Sequence, residues 1–340
     1  MSTFKLSQIF KMSVLSLVLL VLLSVTGCGS TPTATASAPA AAAPAGAMPQ
    51  GGAMPQGGAP AAFSVEPNYK DLVYAPVSAT QKLDLYLPTT STGPFPVVIN
   101  IHGGGFKFGD KGMLSETTGK SLLNAGYAVA SIDYRLSGEV IFPAAVQDAK
   151  AAVRFLRANA AQYNLNPDKI AVFGQSAGGN IAAMVGVAGN ISDYDDASLG
   201  NAGVSSAVQA VINQYGPTDF LQMDAQAKAQ GCSASDQTHN DASSFESAYI
   251  GAAIQTVPEQ VKKSNPITYI SKDTPPFLIQ KGDQDCTVPV ESTKILADAL
   301  SAANLDATYT LLAGAGHGGS QFETDENIAL MISFLDKYMK

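Results

Sequence analysis

Four short segments hold the residues whose types and spacing could do chemistry. Ser176 stands in "GQSAGG", "HGGGF" spans His102–Phe106, "GDQDC" carries Asp283 and Asp285, and "GAGHG" carries His317. A serine hydroxyl becomes a good nucleophile when a histidine takes its proton, and a carboxylate keeps that histidine in the correct tautomer. The chain order serine, aspartate, histidine therefore predicts acyl transfer through a covalent intermediate.

The glycines around Ser176 predict a sharp turn between a strand and a helix. An apolar run at Ile170–Phe173 precedes the serine, and a helix is expected from about Ala177. In a Gly-x-Ser-x-Gly frame the chain turns tightly, so that the hydroxyl points out at the end of the strand. The helix N-terminus also favours developing negative charge. The alternative is a glycine-rich turn in which the serine only caps the helix.

The "HGGGF" segment is typical of a loop that binds an oxyanion. Glycines let backbone N–H groups approach a substrate closely, and a tetrahedral intermediate needs such donors in place. Together with the residue after the nucleophile, this pattern assigns the donors to Gly104, Gly105 and Ala177. The alternative is a glycine-rich loop with a structural histidine.

Spacing alone leaves the choice of acid open between Asp283 and Asp285, and simple solvation describes the other one. His317 lies on a glycine-flanked loop after the last expected strand. A lone loop histidine is usually a solvated surface residue, but the serine and aspartate before it favour a catalytic base. His239 has no partners in its stretch of sequence, which predicts a surface position.

Strands alternate with helices along the chain, which predicts a mostly parallel sheet with helices on both faces. Between positions 216 and 275 this alternation gives way to polar and short helical stretches. We expect them to form a small insertion before the acid loop, near the sheet edge where ligands bind in such folds. The strands are expected at 82–88, 97–101, 127–133, 170–173, 207–213, 277–280 and 307–312. Further helices are expected before Gly126, around 146–156, at 292–303 and at 323–338.

The N-terminal sequence is typical of an exported lipoprotein. Residues 1–27 have the layout of a signal peptide, and "VTGC" resembles a lipobox that would make Cys28 the lipidated first residue. A plain secretory signal with an incidental cysteine is the alternative. Residues 28–62, rich in Ala, Pro and Gly, predict a disordered linker, which leaves 63–340 as the catalytic domain. The protein would then sit in the cell envelope, anchored to a bacterial membrane by its lipid.

Composition excludes several other classes of function. The net charge is −8 and no run of Lys or Arg occurs, so no nucleic-acid surface is expected. No cluster with metal-ligand spacing occurs, and we expect neither a metal nor an organic cofactor. With Cys28 lipidated, Cys232 and Cys286 remain, an even count that favours a disulfide in an oxidising compartment. Two separate thiols are the alternative.

Eight segments together resemble α/β-hydrolase esterases of the hormone-sensitive-lipase-like type, and among them the bacterial feruloyl-esterase-like (BD-FAE-like) branch. They are "KLDLYLP", "HGGGF" followed by "GDK", "DYRLSGE", "FPAAVQDAKAAVRFLRANA", "GQSAGGN", "YGPTDF", "GDQDCTVP" and "GAGHG". The resemblance implies an α/β-hydrolase fold, with Ser176 as nucleophile, His317 as base and Asp285 as acid. It also suggests that the two late cysteines pair. Phe106 departs from the pattern, because many members have tryptophan there.

The resemblance implies a serine hydrolase that acts on short-chain or aromatic carboxylic esters, of feruloyl or acetyl type, and the N-terminal sequence predicts that it acts outside the cytoplasm. Its partners would be a small ester substrate and the membrane that holds the lipid anchor. Two other functions remain open from the sequence. One is a non-catalytic, surface-anchored binding protein of the same fold, and the other is a serine peptidase.

Overall fold

One open sheet of eight strands forms the centre of the computed structural model, which describes residues 63–340. The strands are β1 (Tyr69–Val73), β2 (Lys82–Tyr86), β3 (Phe95–Ile101), β4 (Ala128–Ile132), β5 (Leu165–Gln175), β6 (Ala210–Gln214), β7 (Phe277–Gly282) and β8 (Ala307–Leu312). Their order in the sheet is β1-β2-β4-β3-β5-β6-β7-β8. The pairs β1–β2 and β2–β4 are antiparallel, whereas all pairs from β4 to β8 are parallel.

Helices cover both faces of this sheet. They are α1 (Glu116–Asn124), α2 (Ala144–Ala158), α3 (Ala177–Val187), α4 (Met223–Gln230), α5 (Phe245–Ile250), α6 (Pro258–Lys262), α7 (Val290–Ala302) and α8 (Asp325–Met339). Helices α2, α3 and α7 pack on one face, and α1 and α8 pack on the other. The predicted mostly parallel sheet with helices on both faces is therefore confirmed.

Alternate residues of the central strands supply the two cores. Val97, Ile99 and Ile101 of β3 lie in the core beneath α2, α3 and α7, whereas Val98 lies in the core beneath α1 and α8. A strand that is buried on both faces needs apolar residues on both sides, and in this stretch only Asn100 is polar. Each such side chain contributes about 1.5–3 kcal/mol on burial. The sheet is therefore a rigid base for the loops at its ends.

The structure differs from the predicted elements at several ends. Strand β1 was not predicted, because its residues are mostly exposed and show no apolar alternation. Strand β5 begins at Leu165, since that residue pairs with Phe95 before the register shifts. Strand β6 begins at Ala210, and α7 begins two residues earlier than expected.

The predicted insertion at 216–275 contains three short helices, α4, α5 and α6, joined by turns and 3-10 helices. A disulfide joins Cys232 to Cys286 in the acid loop, which is the pairing that the cysteine count favours. The surface position predicted for His239 is wrong. Its side chain is 13% exposed and its Nδ1 lies 3.0 Å from Oε1 of Glu246, which stands seven residues later in the same insertion.

The predictions for residues 1–62, namely the signal peptide, the lipidated Cys28 and the linker, lie outside the described residues. None of the helices within 63–340 combines the length and apolar character needed to cross a bilayer.

Candidate active site

Ser176 occupies a strained turn between β5 and α3. Its φ is 54° and its ψ is −123°, a conformation that non-glycine residues rarely adopt. Two glycines make the turn possible by close approach. A Cβ on Gly174 would come within 2.0 Å of the Gly178 carbonyl oxygen, and one on Gly178 within 2.1 Å of the Ile101 carbonyl oxygen. The strain holds the hydroxyl at the carboxyl edge of the sheet.

His317 joins the serine to a buried carboxylate. Its Nε2 lies 2.8 Å from the Ser176 Oγ, and its Nδ1 lies 2.8 Å from Oδ2 of Asp285. Asp285 is fully buried, whereas His317 is 18% exposed. Because an ionised carboxylate only accepts hydrogen bonds, Nδ1 carries the proton and Nε2 accepts from the serine hydroxyl. This arrangement prepares the hydroxyl for proton removal.

The structure brings Asp285, rather than Asp283, to the histidine. The Asp283 Oδ1 instead accepts a hydrogen bond from the Gly314 N–H at 2.7 Å, within the loop that leads to His317. Burial by itself raises the pKa of Asp285, but the charges and hydrogen bonds of His317 and Lys281 outweigh it and lower this pKa to about 2. The carboxylate is therefore ionised at neutral pH.

The "HGGGF" segment forms a tight loop beside Ser176. A Cβ on Gly103 would lie 3.2 Å from the Ser176 Cβ, so the loop borders the serine turn. Gly104 has a φ of 107°, and its carbonyl accepts from the Phe108 N–H at 3.0 Å. Within residues 63–340 the amides of Gly104, Gly105 and Ala177 donate no hydrogen bond. They are the three groups that the sequence assigned to an oxyanion.

His102 holds this loop from beneath. Its ring stacks on Tyr134 with centroids 4.4 Å apart, and its Nδ1 lies 2.7 Å from the Gly103 carbonyl oxygen. The Tyr134 hydroxyl donates to the His102 carbonyl at 3.0 Å. Burial lowers the pKa of His102, so its ring is neutral and donates to the carbonyl. From the sequence, an oxyanion-binding loop and a loop with a structural histidine were alternatives for this segment. The two interpretations are compatible, because His102 holds the loop without using the amides that the sequence assigned to an oxyanion.

Aromatic side chains of the insertion pack against the same loop. Phe106 is buried and stacks on Tyr249 of α5 with centroids 3.8 Å apart. The ring of Phe245 lies over Gly105, where a Cβ would come within 2.7 Å of it. Phe245 and Phe108 stay about half exposed, with centroids 6.0 Å apart. Phe106, which stands where many members of the family have tryptophan, is thus part of the core. Phe245 and Phe108 are the aromatic side chains that stay exposed beside this loop.

Sequence reasoning missed three residues that support the site. Lys281 donates to Asp285, the Tyr215 ring packs edge-on against His317 at 4.8 Å, and the Gln230 Nε2 donates to the Asp285 carbonyl at 2.9 Å. The sequence could have indicated Lys281, because a lysine inside the apolar strand "FLIQKG" must find a buried partner. No sequence pattern indicates Tyr215 or Gln230.

Within residues 63–340 no group of three or more His, Cys, Asp or Glu side chains is placed to hold a metal ion. At this edge the structure brings together a serine, a histidine, a carboxylate and amides that donate no other hydrogen bond within residues 63–340. With the sheet order and the strained serine turn, they define an α/β-hydrolase fold with the geometry of a serine hydrolase.

Comparison with known proteins identifies the family of the chain. Residues 83–300 match the BD-FAE family model, so the chain belongs to the BD-FAE family. A solved structure described as a truncated form of carbohydrate esterase from gut microbiota is 32% identical, with a TM-score of 0.73. That match covers 82% of this chain and 98% of the other.

Two further relatives are similar over most of the domain. A bifunctional GH43-CE protein of Bacteroides eggerthii is 32% identical, with a TM-score of 0.71, over 79% of this chain and 38% of that one. Esterase LipC of Mycobacterium tuberculosis is 30% identical over 67% of this chain and 54% of its own length. The chain spans about half the length of the curated relatives it matches.

Proposed function

We propose that this protein is a carboxylic-ester hydrolase with Ser176 as nucleophile, His317 as general base and Asp285 as acid. The observation that carries the proposal is the chain of two 2.8 Å contacts from the serine through the histidine to a buried, ionised carboxylate. Relatives named as esterases support the same chemistry.

The geometry supports a two-step mechanism. The Ser176 Oγ attacks the ester carbonyl carbon while the His317 Nε2 takes its proton, and Asp285 stabilises the imidazolium that forms. The alcohol then leaves with the proton from His317. A water activated by the same histidine attacks the acyl-enzyme, which releases the acid and restores the serine.

The amides of Gly104, Gly105 and Ala177 would hold the oxyanion during both steps. Because these amides donate no other hydrogen bond in the described residues, no bond has to break before they bind the developing charge. The Ala177 amide also begins α3, whose dipole favours negative charge at this end. One such donor contributes about 3 kcal/mol to transition-state stabilisation.

For the substrate we propose short-chain or aromatic esters, of acetyl or feruloyl type, carried on carbohydrate. The similarity to a carbohydrate esterase and to a GH43-CE protein supports the carbohydrate part. A pocket in the insertion beside the oxyanion loop offers hydroxyls and the Asp241 carboxylate next to an aromatic ring, a combination that suits a sugar. Its lining residues are Thr238, Asp241, Ser243, Ser244, Phe245 and Glu246.

For the location we propose the cell envelope, with the domain held to a membrane by a lipid on Cys28. The signal-like residues 1–27 and the disulfide between Cys232 and Cys286 support it, because disulfides persist in oxidising compartments. Labelled palmitate should enter the protein in its bacterial host and fail to enter Cys28→Ser. Labelling of neither protein would contradict the anchor.

Ester hydrolysis by wild type and Ser176→Ala tests the proposed activity. The substrates are nitrophenyl esters of increasing chain length, methyl ferulate and acetylated xylan, with a peptide amide alongside. We expect ester hydrolysis by the wild type, and a fall in kcat of about 10⁶-fold in the variant. No turnover of any ester would favour a non-catalytic binding protein, and cleavage of the amide alone would favour a peptidase.

A further inference from the structure

A buried lysine contacts the acid of the site. Lys281 lies at the end of β7 with no exposed surface, and its Nζ lies 2.5 Å from Oδ2 of Asp285. That same oxygen receives the His317 Nδ1. The lysine also donates to the carbonyl of Val288, whose own N–H donates to Oδ1 of Asp285 at 3.0 Å. Three donors therefore fix the carboxylate.

Burial of a lysine ammonium costs folding free energy unless the ammonium pairs with an opposite charge nearby. Burial lowers the pKa of the Lys281 ammonium, whereas the Asp285 charge opposes this effect. Replacement of a buried ion pair by apolar side chains is often neutral or stabilising, so the pair is weak evidence for a purely structural role. Holding the acid loop does not require a cation, because Gln230 and the Cys286 disulfide already bind that loop.

The other charged groups near the pair are engaged elsewhere. Asp283 accepts from the Gly314 amide, and Glu323 accepts from the hydroxyls of Ser115 and Thr118. The Tyr215 ring makes a T-shaped contact with the histidine, and burial raises the pKa of its hydroxyl, so that it is neutral. Within the described residues Lys281 is the only lysine or arginine within hydrogen-bonding distance of the Asp285 carboxylate.

We propose that Lys281 is a positioning residue that fixes the Asp285 carboxylate and offsets part of its charge, so that His317 remains a neutral base down to lower pH. The inference rests on the proposed function. An imidazolium is stabilised by the full charge of its carboxylate partner, and a cation on the same oxygen reduces that stabilisation. Removal of the cation should therefore make His317 hold its proton to higher pH, where it cannot act as a base.

The test compares the pH profiles of kcat/KM for wild type, Lys281→Met and Lys281→Gln. The methionine fills the space without a charge, and the glutamine keeps a donor without a charge. We expect the acid limb to move up by about one pH unit in both variants, with kcat lowered at neutral pH and KM little changed. An unchanged limb in folded variants would overturn the proposal.

Lys150→Met is the matched control for the loss of a buried lysine. Lys150 is also fully buried, and its Nζ binds the carbonyls of Ala188 and Ile191. Ala188 follows the far end of α3, about 18 Å from Ser176 at 1.5 Å per residue. We expect a loss of stability in this variant with no shift of the acid limb. A shift equal to that of Lys281→Met would overturn the proposal.

NMR separates this proposal from the proposed function. The imidazole signals of His317 can be titrated without substrate, since the chain has three histidines and His317→Gln identifies the signal. A higher pKa of His317 in the Lys281 variants supports the inference even if no ester is turned over, and an equal pKa overturns it. If neither variant folds, ¹⁵N spectra of lysine-labelled wild type decide. A neutral Lys281 amine at about pH 7 overturns it, and an ammonium supports it.

Discussion

The catalytic edge of the sheet and the insertion at 216–275 are held together in different ways. At the edge, backbone geometry does most of the positioning. Ser176 sits on a strained turn and the oxyanion loop follows β3 directly. In the insertion, side chains do this work through the Cys232–Cys286 disulfide, the His239–Glu246 contact and the stack of Phe106 on Tyr249.

This difference separates the region that carries the reacting groups from the region that surrounds them. The edge tolerates few substitutions, because backbone atoms within 3 Å of a missing Cβ leave no room for one. The insertion is joined by discrete contacts that can be removed one at a time. Changes at the edge should therefore affect kcat, and removal of these three contacts in the insertion should affect stability.

Apart from Ser176→Ala, the largest effect is expected from the acid. Asp285→Asn should lower kcat by about 10⁴-fold, because the amide favours the wrong tautomer of His317. Asp283→Asn is the matched control, since its Oδ1 can still accept from the Gly314 amide. Steady-state kinetics with a nitrophenyl ester measure both. Equal losses in the two variants would mean that the choice between the aspartates is wrong.

Next comes the oxyanion loop. Gly104→Ala places a Cβ within 2.2 Å of the Phe108 carbonyl oxygen, at a φ of 107° that alanine rarely adopts. The loop must open, and we expect kcat to fall by about 10²–10³-fold. Gly138→Ala is the control, because no atom lies within 4 Å of its Cβ position. A Gly104→Ala variant with wild-type kcat would remove this loop from the mechanism.

A smaller effect, on stability, is expected in the insertion. The double variant Cys232→Ala/Cys286→Ala should lose roughly 2–4 kcal/mol of unfolding free energy, because the cross-link restricts the unfolded chain. Urea unfolding measures the loss, and the wild type under reducing conditions should show a similar one. If the urea midpoint does not change, the noncovalent contacts of the insertion suffice.

The smallest effect concerns His239. Burial alone lowers its pKa, but the hydrogen bond and charge of Glu246, with Asp224 and Asp236, raise it above the usual value. A raised pKa in the folded state stabilises the protein below the unfolded pKa of about 6.5, and the gain is lost as pH rises through the folded pKa. Unfolding free energy should thus fall with pH above about 6.5.

Glu246→Gln tests this pH dependence. The variant removes the charge that raises the pKa of His239, so its unfolding free energy should fall less steeply over the same pH range. Urea titrations at several pH values measure both slopes. Parallel curves for the two proteins would show that the pair does not couple folding to pH.

Much of the fold was predictable because buried parallel strands leave continuous apolar runs in the sequence. The stretch Val97–Ile101, interrupted only by Asn100, is an example. Strand β1 was not predictable, since its exposed residues pair with β2 through backbone bonds that leave no pattern. Ser176 and His317 were recognisable because glycines mark the loops on which they stand.

The features that residue spacing left open or missed share a physical cause. Asp283 and Asp285 stand two residues apart in one loop, and only the path of the chain decides which carboxylate faces His317. The path of the chain also decides that Lys281 pairs with Asp285. The sequence predicted a surface position for His239, because its contact with Glu246 depends on where the chain places α5. Contacts between side chains of irregular segments have no period in the sequence.

The Cys232–Cys286 disulfide has a consequence for a chain that has been cut. Residues 233–235 are exposed, so a protease could cleave there. The upstream piece would keep Ser176 and Cys232, and the downstream piece would keep Cys286 and His317. These two pieces would migrate as one species on a gel until they were reduced. A single cut would therefore leave the nucleophile and its base in one covalent molecule.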